Sequence, residues 1–172
     1  MCAQKDFKLK IIIIGDPNVG KTSLVQRYIS EHFSKEYRST IGTNIYIKDI
    51  TLKNGKNIQL NLWDIAGQER WIRMRHKYYN GARGAIIIGD LSRKRSFENI
   101  EKFWYPDLEK YIPSIQVILI GNKCDLKPEL TEDDIEKIKN KIRPQKYIIT
   151  SAKTGVNVNG AFNYLSEIII IK

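Results

Sequence analysis

Apolar and polar positions alternate along this chain in a way that predicts strands and helices taking turns. Leu9-Lys10-Ile11-Ile12-Ile13-Ile14 reads as a strand over 8–14, and Leu24, Val25, Tyr28 and Ile29 then recur at helical spacing, predicting a helix over about 21–31. Two alternating segments, 44–52 and 57–63, are joined by Lys53-Asn54-Gly55-Lys56. Asn-Gly between such segments predicts a tight I′ turn and an antiparallel pair at a sheet edge. Ala85-Ile86-Ile87-Ile88 has the continuous apolar character of a strand buried on both faces, and Gln116 to Gly121 and Lys146 to Thr150 add two more. A helix is expected near 95–111, ended by Pro113. Another opens after Pro128, with Thr131 as its cap and Glu132, Asp133 and Asp134 at its positive end. In the last helix Val158, Ala161, Phe162, Leu165, Ile168 and Ile169 share one stripe and read as core. The alternation predicts an α/β fold: a six-stranded, mostly parallel sheet with one antiparallel edge strand and helices on both faces.

Chemistry concentrates at the ends of these strands. Gly15-Asp16-Pro17-Asn18-Val19-Gly20-Lys21-Thr22-Ser23 follows the first strand and opens the first helix. In that context G-x-x-x-x-G-K-[ST] is a phosphate-binding loop. Consecutive backbone N–H groups form a concave donor nest, backed by the positive end of the helix. Lys21 adds a charge for the β- and γ-phosphates, and the Thr22 hydroxyl offers one site to Mg²⁺.

The base is read further on. Asn122-Lys123-Cys124-Asp125 follows the strand at 116–121, at the carboxyl end where ligands of open α/β sheets sit. Guanine presents N1–H and an exocyclic NH₂, two parallel donors that the Asp125 carboxylate accepts as a fork. Adenine has no such pair and leaves Asp125 unpaired, a penalty of roughly 1–3 kcal/mol. An adenine-specific kinase or ATPase is therefore disfavoured. Asn122 can serve the N7/O6 side, the Lys123 stem can cover a ring face, and the backbone of Ser151-Ala152-Lys153 can donate to O6.

Between these segments lie groups suited to sensing a third phosphate. Asp64, at the end of Asn57-Ile58-Gln59-Leu60-Asn61-Leu62-Trp63, can hold Mg²⁺ through a water, and Thr40 can bring a second hydroxyl to the metal. Gly67 lets its N–H approach a γ-phosphate closely, and Gln68 is placed to orient the attacking water.

Together these residues resemble the Ras superfamily of small GTPases, whose fold is the P-loop NTPase G domain. Ser39-Thr40-Ile41-Gly42, Trp63 to Arg70 and Tyr78-Tyr79-Asn80-Gly81-Ala82 are most similar to the Rab branch, and the resemblance runs from about Lys8 to Ile171. It implies that Phe33 packs edge-on against guanine, that Tyr37 closes over the phosphates, and that Ile45, Trp63 and Tyr78 form an apolar patch read by effectors. It also implies a monomeric switch with slow GTP hydrolysis, acting in membrane trafficking or signalling and regulated by an exchange factor and a GTPase-activating protein. No arginine is obviously placed to act in cis, and a partner-supplied one is typically worth 10³–10⁵-fold.

The chain departs from that pattern in places. Pro17 removes one loop N–H and biases Asp16 toward an extended conformation, so a hydrolysis-deficient GTP-binding scaffold is an alternative. Ile45 replaces the usual patch aromatic; Thr43-Asn44 and Gly89 differ with no clear chemical consequence. The sequence stops at Lys172 without the variable tail and terminal cysteines that Rabs use for prenylation.

Length and composition narrow the picture. With 172 residues, 42% hydrophobic, one domain over 1–172 is expected, with 1–7 as a short N-terminal extension and no internal repeat. Apolar runs such as Ile168 to Ile171 fall far short of the ~18 residues a membrane span needs. No signal-peptide pattern opens the chain, and residue 2 is Cys rather than the Gly that myristoylation requires. Only Cys2 and Cys124 occur, pointing to a reducing cytoplasmic setting with Cys124 as a small packing residue. Basic residues outnumber acidic ones 29 to 19, for a net charge of +10. From Glu69 to Arg95 there are eight Lys/Arg against two Asp/Glu. A solvated basic face is the first reading, and peripheral contact with an anionic membrane the second. A GTPase acting on RNA or ribosomes is the third; no nucleic acid is expected, because no aromatic-basic interleaving stands out. His32 and His76 lack metal-ligand spacing and read as surface or hinge packing.

Overall fold

A computed structural model describes residues 7–30, 40–68 and 72–171, with Ile72 and Arg73 described in their backbone alone. The expected elements at Phe33, Tyr37 and His32 lie outside the described residues, as does Cys2. The strands are β1 (Phe7–Ile14), β2 (Thr43–Thr51), β3 (Asn57–Ile65), β4 (Gly84–Asp90), β5 (Gln116–Asn122) and β6 (Lys146–Ile149). They form one sheet in the order β2-β3-β1-β4-β5-β6. Only β2 runs antiparallel, against β3; β1 pairs in parallel with β3 and β4, and β4, β5 and β6 follow in parallel. The chain turns back across the sheet at β1, so the loop leaving β1 sits at the topological switch point.

The helices are α1 (Lys21–Ser30), α2 (Ile72–Tyr79), α3 (Lys94–Asn99), α4 (Tyr105–Tyr111), α5 (Glu132–Ile142) and α6 (Val158–Ile171). Successive side chains of a strand point to opposite faces. Ile11 and Ile13 thus enter a core beneath α1 and α6, and Ile12 and Ile14 enter a second core beneath α3, α4 and α5. All four isoleucines are completely buried, which is why the second half of β1 is continuously apolar, while Lys8 and Lys10 alternate along its first half. In α6 Val158, Ala161, Phe162, Leu165 and Ile169 are buried as the stripe predicts, and Tyr28 stacks on Phe162 at 4.3 Å. Thr131 caps α5 with a reciprocal box: its hydroxyl accepts from the Asp134 N–H, and the Asp134 carboxylate accepts from the Thr131 N–H.

Two local expectations are corrected. The β2–β3 connection is not an I′ turn, which needs positive φ at both central residues. Here only Gly55 is left-handed (φ 81), and the Gly55 N–H donates to the Leu52 carbonyl. That is a three-residue loop with a glycine bulge, set by a single glycine. The helix expected over 95–111 is continuous in direction, but a π-wound turn, Ile100–Trp104, separates α3 from α4. Pro106 has no N–H to continue the α-helical ladder, and the wider turn absorbs the gap.

Candidate functional site

The loop after β1 is shaped by two glycines that no other residue can replace. Gly15 has φ 141, and a Cβ there would meet the Ile88 carbonyl oxygen at 2.3 Å. Gly20 has φ 95, and its Cβ would meet Asn122 Nδ2 at 2.3 Å. Between them Val19 is fully buried while Asn18 takes a left-handed conformation. Lys21 is buried at the start of α1, and its ammonium donates to the Gly15 and Asp16 carbonyls at 2.8 Å each. Burial pushes its pKa down to about 8, against the raising effect of Asp64 and Asp16. Ser23 follows on the first turn of α1. The Asp16 side chain turns away from this nest, its oxygens accepting from Asn99 Nδ2 (2.7 Å) and Trp104 Nε1 (2.8 Å). Pro17 has no N–H to give, but its carbonyl accepts from Arg93 at 2.7 Å. Arg93, Asn99 and Trp104 were not singled out in the sequence. Asn99 and Trp104 are five apart, a spacing that shares a face only when the helix is π-wound.

Thr22, Thr40 and Asp64, distant in sequence, meet beside the loop. Thr22 Oγ1 donates to Asp64 Oδ2 at 2.5 Å and lies 3.0 Å from Thr40 Oγ1. Asp64 is fully buried, and its second oxygen, Oδ1, has no hydrogen-bond partner. Burial raises the Asp64 pKa, opposed by the Thr22 hydrogen bond and by the Lys21 charge. Three hard oxygens, one of them an orphaned carboxylate oxygen, suit a small oxygen-seeking cation. Gly67 lies so close to the loop that a Cβ would come within 2.6 Å of Asp16 C, Gly15 O and Pro17 N. Gln68 follows it, half-buried, on the rim of a cleft against α2 and α3.

The base corner is tied together internally. Asn122 Nδ2 donates to the Val19 carbonyl (2.8 Å), and its Oδ1 accepts from Thr150 Oγ1 (3.1 Å) and the Ala152 N–H (3.2 Å). One amide N–H thus remains for a ring, and the main work of Asn122 is to hold three loops in register. Ser151 Oγ donates to Asp125 Oδ1 at 2.6 Å, and Lys153 lies 3.9 Å from Oδ2. Arg27 reaches from α1 to the Ala152 and Lys153 carbonyls. Lys123, left-handed at φ 65, pairs with Asp90 at 2.6 Å. Cys124 is half-buried against the second core.

Ile45 lies directly opposite Trp63 in the β2–β3 register, and the Trp63 and Tyr78 rings are 6.3 Å apart. Ile45 is 51% exposed and Ile47, two residues on and on the same face, is 59% exposed. Ile47 was missed because its alternation with Tyr46 and Lys48 reads as ordinary strand patterning. His76 stacks on Tyr111 at 5.3 Å, a packing role.

The sequence model of the Ras family matches residues 10–170. The chain is 37% identical to Ras-related protein Rab-13 of Rattus norvegicus, over 100% of this chain and 85% of that protein. It is 38% identical to Ras-related protein Rab-12 of Homo sapiens, over 97% and 69% of the two chains. It is 40% identical to Ras-related protein Rab-1 of Theileria parva, over 94% and 74%.

The chain belongs to the Ras family. As a Rab-like small GTPase it binds guanine nucleotide, hydrolyses GTP to GDP and works as a molecular switch in membrane trafficking. The inert-scaffold and RNA-directed alternatives are not favoured. Exchange factors, GTPase-activating proteins and effectors regulate and read such a GTPase. Among the described residues no helix is long and apolar enough to cross a membrane.

Proposed function

We propose that GTP lies across the carboxyl ends of β1, β3, β5 and β6 with its phosphates in the 15–23 loop. Thr22, Thr40 and Asp64 hold Mg²⁺, and Asp125 sorts purines. The observation that carries this reading is the meeting of the Thr22, Thr40 and Asp64 oxygens around an unpartnered carboxylate oxygen. A Mg²⁺ held by Thr22, Thr40 and Asp64 would supply charge neutralisation to the β- and γ-phosphates. Lys21 exchanges its two loop carbonyls for phosphate oxygens and counters charge shifting toward the leaving group. The Gly67 N–H faces the third phosphate, Gln68 orients the attacking water, and loss of that phosphate frees Thr40 and Gly67. The N–H groups of Gly15, Asp16, Asn18, Val19 and Gly20 donate to phosphate with Pro17 shaping the loop between them, the Ala152 N–H donates to O6, and Asn122, Lys123, Ser151 and Lys153 frame the ring.

In this reading the chain is one G domain, cytoplasmic or peripheral at an anionic membrane. Ile45, Trp63 and Tyr78, extended by Ile47, form the effector patch. Phe33 and Tyr37 keep the roles that the resemblance gives them. Turnover is slow without an activating partner. Single-turnover hydrolysis of preloaded GTP tests the assignment. Gln68→Leu is expected to slow cleavage by roughly one to two orders of magnitude, about 1.4–2.7 kcal/mol of barrier, with GTP affinity within twofold. Unchanged cleavage removes Gln68 from the mechanism.

A further inference from the structure

Beside Asp16, Pro17 and Asn18 of the 15–23 loop lies a cleft of about 750 Å³ between Gly67-Gln68 and the helices α2 and α3. Among the described residues its walls carry four cations, Arg75, Arg93, Arg95 and Lys102, and one carboxylate, Asp16. Asp16 lends its charge to Arg75, but its oxygens accept their hydrogen bonds from the neutral Asn99 and Trp104, and one carboxylate faces four cations.

Arg75 is the unusual member. Only 1% of its surface is exposed, and neither Nε nor Nη1 has a hydrogen-bond partner. Two rings and a phenol hold it: its guanidinium carbon lies 4.0 Å from the Trp104 ring centroid and 5.1 Å from that of Phe103, and the Tyr79 hydroxyl is its side-chain hydrogen-bond partner. The nearby acid, Asp107, accepts from the Tyr79 hydroxyl at 2.9 Å. A buried guanidinium with idle N–H groups is costly unless something supplies acceptors. Arg93 is fixed at the loop by the Pro17 carbonyl, and Arg95 makes no ion pair among the described residues. Among the described residues Lys102 pairs with the exposed Glu98 alone, at 3.7 Å. Both Arg75 and Arg93 lie close enough to Lys21 to depress its pKa.

We propose that this cleft binds inorganic phosphate, the anion set free when GTP is cleaved. Gly67 and Gln68 line it together with Pro17, and the proposed function puts Gly67 and Gln68 at the third phosphate; in that one respect the inference rests on that reading. A tetrahedral dianion presents acceptors in several directions and matches converging guanidiniums, whereas a single carboxylate matches one. Cleaved phosphate therefore passes from the nest to a second set of donors instead of directly into water.

The test uses the protein loaded with GDP and Mg²⁺, titrated with inorganic phosphate at constant ionic strength and followed by ³¹P line width and calorimetry. Saturable one-to-one binding is expected, weakened about tenfold or more by Arg75→Met while GDP affinity changes less than twofold. Because Arg75 is buried, the exposed pair Arg95→Met/Lys102→Met provides a second arm, with a loss of about threefold. In single turnover, release seen by a phosphate sensor lags cleavage in the unmodified protein, and the lag shortens in both variants. No saturable binding across the millimolar range, or equal binding in all three proteins, overturns the proposal. Cleavage unaffected by Gln68→Leu instead overturns the placement of the third phosphate, and the GDP-state titration does not depend on it.

Discussion

The two ends of the nucleotide site are built on opposite principles. At the base corner, Asn122, Asp125, Ser151, Ala152 and Arg27 form a closed set of hydrogen bonds across three loops. At the phosphate corner Asp64 Oδ1 and two nitrogens of Arg75 are buried without partners, and Lys21 is buried with a lowered pKa. A satisfied network holds its shape whether or not a ligand is present. A corner with idle buried polar groups gains most when ligand arrives, so nucleotide and cation binding do their conformational work there. On the proposed assignment of the site, recognition and switching are thereby separated within one pocket.

The largest effect is expected from the base corner. Asp125→Ala removes an acceptor for two guanine donors, and hydrogen bonds to charged groups are worth about 1.5–3 kcal/mol each. GDP affinity should fall by on the order of 10²–10⁴-fold, with ATP and GTP then held about equally in competition measurements. Retained preference for GTP would move purine selection elsewhere and dissolve the contrast between the corners.

The contrast is sharpest when one substitution at each corner is compared for stability in the nucleotide-free protein. Asn122→Ala strands the Val19 carbonyl, the Thr150 hydroxyl and the Ala152 N–H, and should cost roughly 2–4 kcal/mol of unfolding free energy. Asp64→Asn should act with the opposite sign. A carboxyl whose pKa is raised by folding weighs against the fold at neutral pH, where it must be ionised or take up a proton, and an amide of the same shape lifts that burden. Stability should rise in chemical denaturation, while Mg²⁺ no longer tightens nucleotide binding. Destabilisation by both substitutions would show that Asp64 is held as favourably as Asn122.

How far the sequence reveals these features follows from the range of the interactions. The β1 run, the α6 stripe and the Thr131 cap are local patterns, and each appears as expected because burial and capping act over a few residues. Gly15, Gly20 and Lys21 are legible for the same reason: a loop that cradles phosphate needs them in one contiguous stretch. Arg75, Asn99 and Trp104 reach the back of that loop only through the sheet order and a π-wound turn, and neither is encoded by a motif. The I′ expectation failed at Asn54 because Asn-Gly also suits a loop in which glycine alone is left-handed. Satisfaction of a polar group, the property that distinguishes the two corners, depends on partners far away in the chain.

The smallest expected effect, at most about 1.4 kcal/mol per pH unit, concerns protons at the phosphate corner. Lys21 is held at about 8 by burial, below its ordinary value of 10.5. A polyphosphate at the ammonium raises that value, so the bound state keeps a proton that the free state gives up above about pH 8. Nucleotide binding should take up a fraction of a proton at pH 8.5, and calorimetry in buffers of different ionisation enthalpy measures it. Affinity should fall as pH climbs from about 8, by up to tenfold per unit, and stay flat for this group between pH 6 and 7. The free fold moves the other way: a base whose pKa is lowered by folding opposes the fold while charged and ceases to do so as pH rises from about 8 toward 10.5. Opposite slopes for ligand affinity and free-state stability over one pH window identify a buried charge that waits for its counter-ion. Parallel slopes would mean that Lys21 is already compensated by the Gly15 and Asp16 carbonyls, and the phosphate corner would then be as self-contained as the base corner.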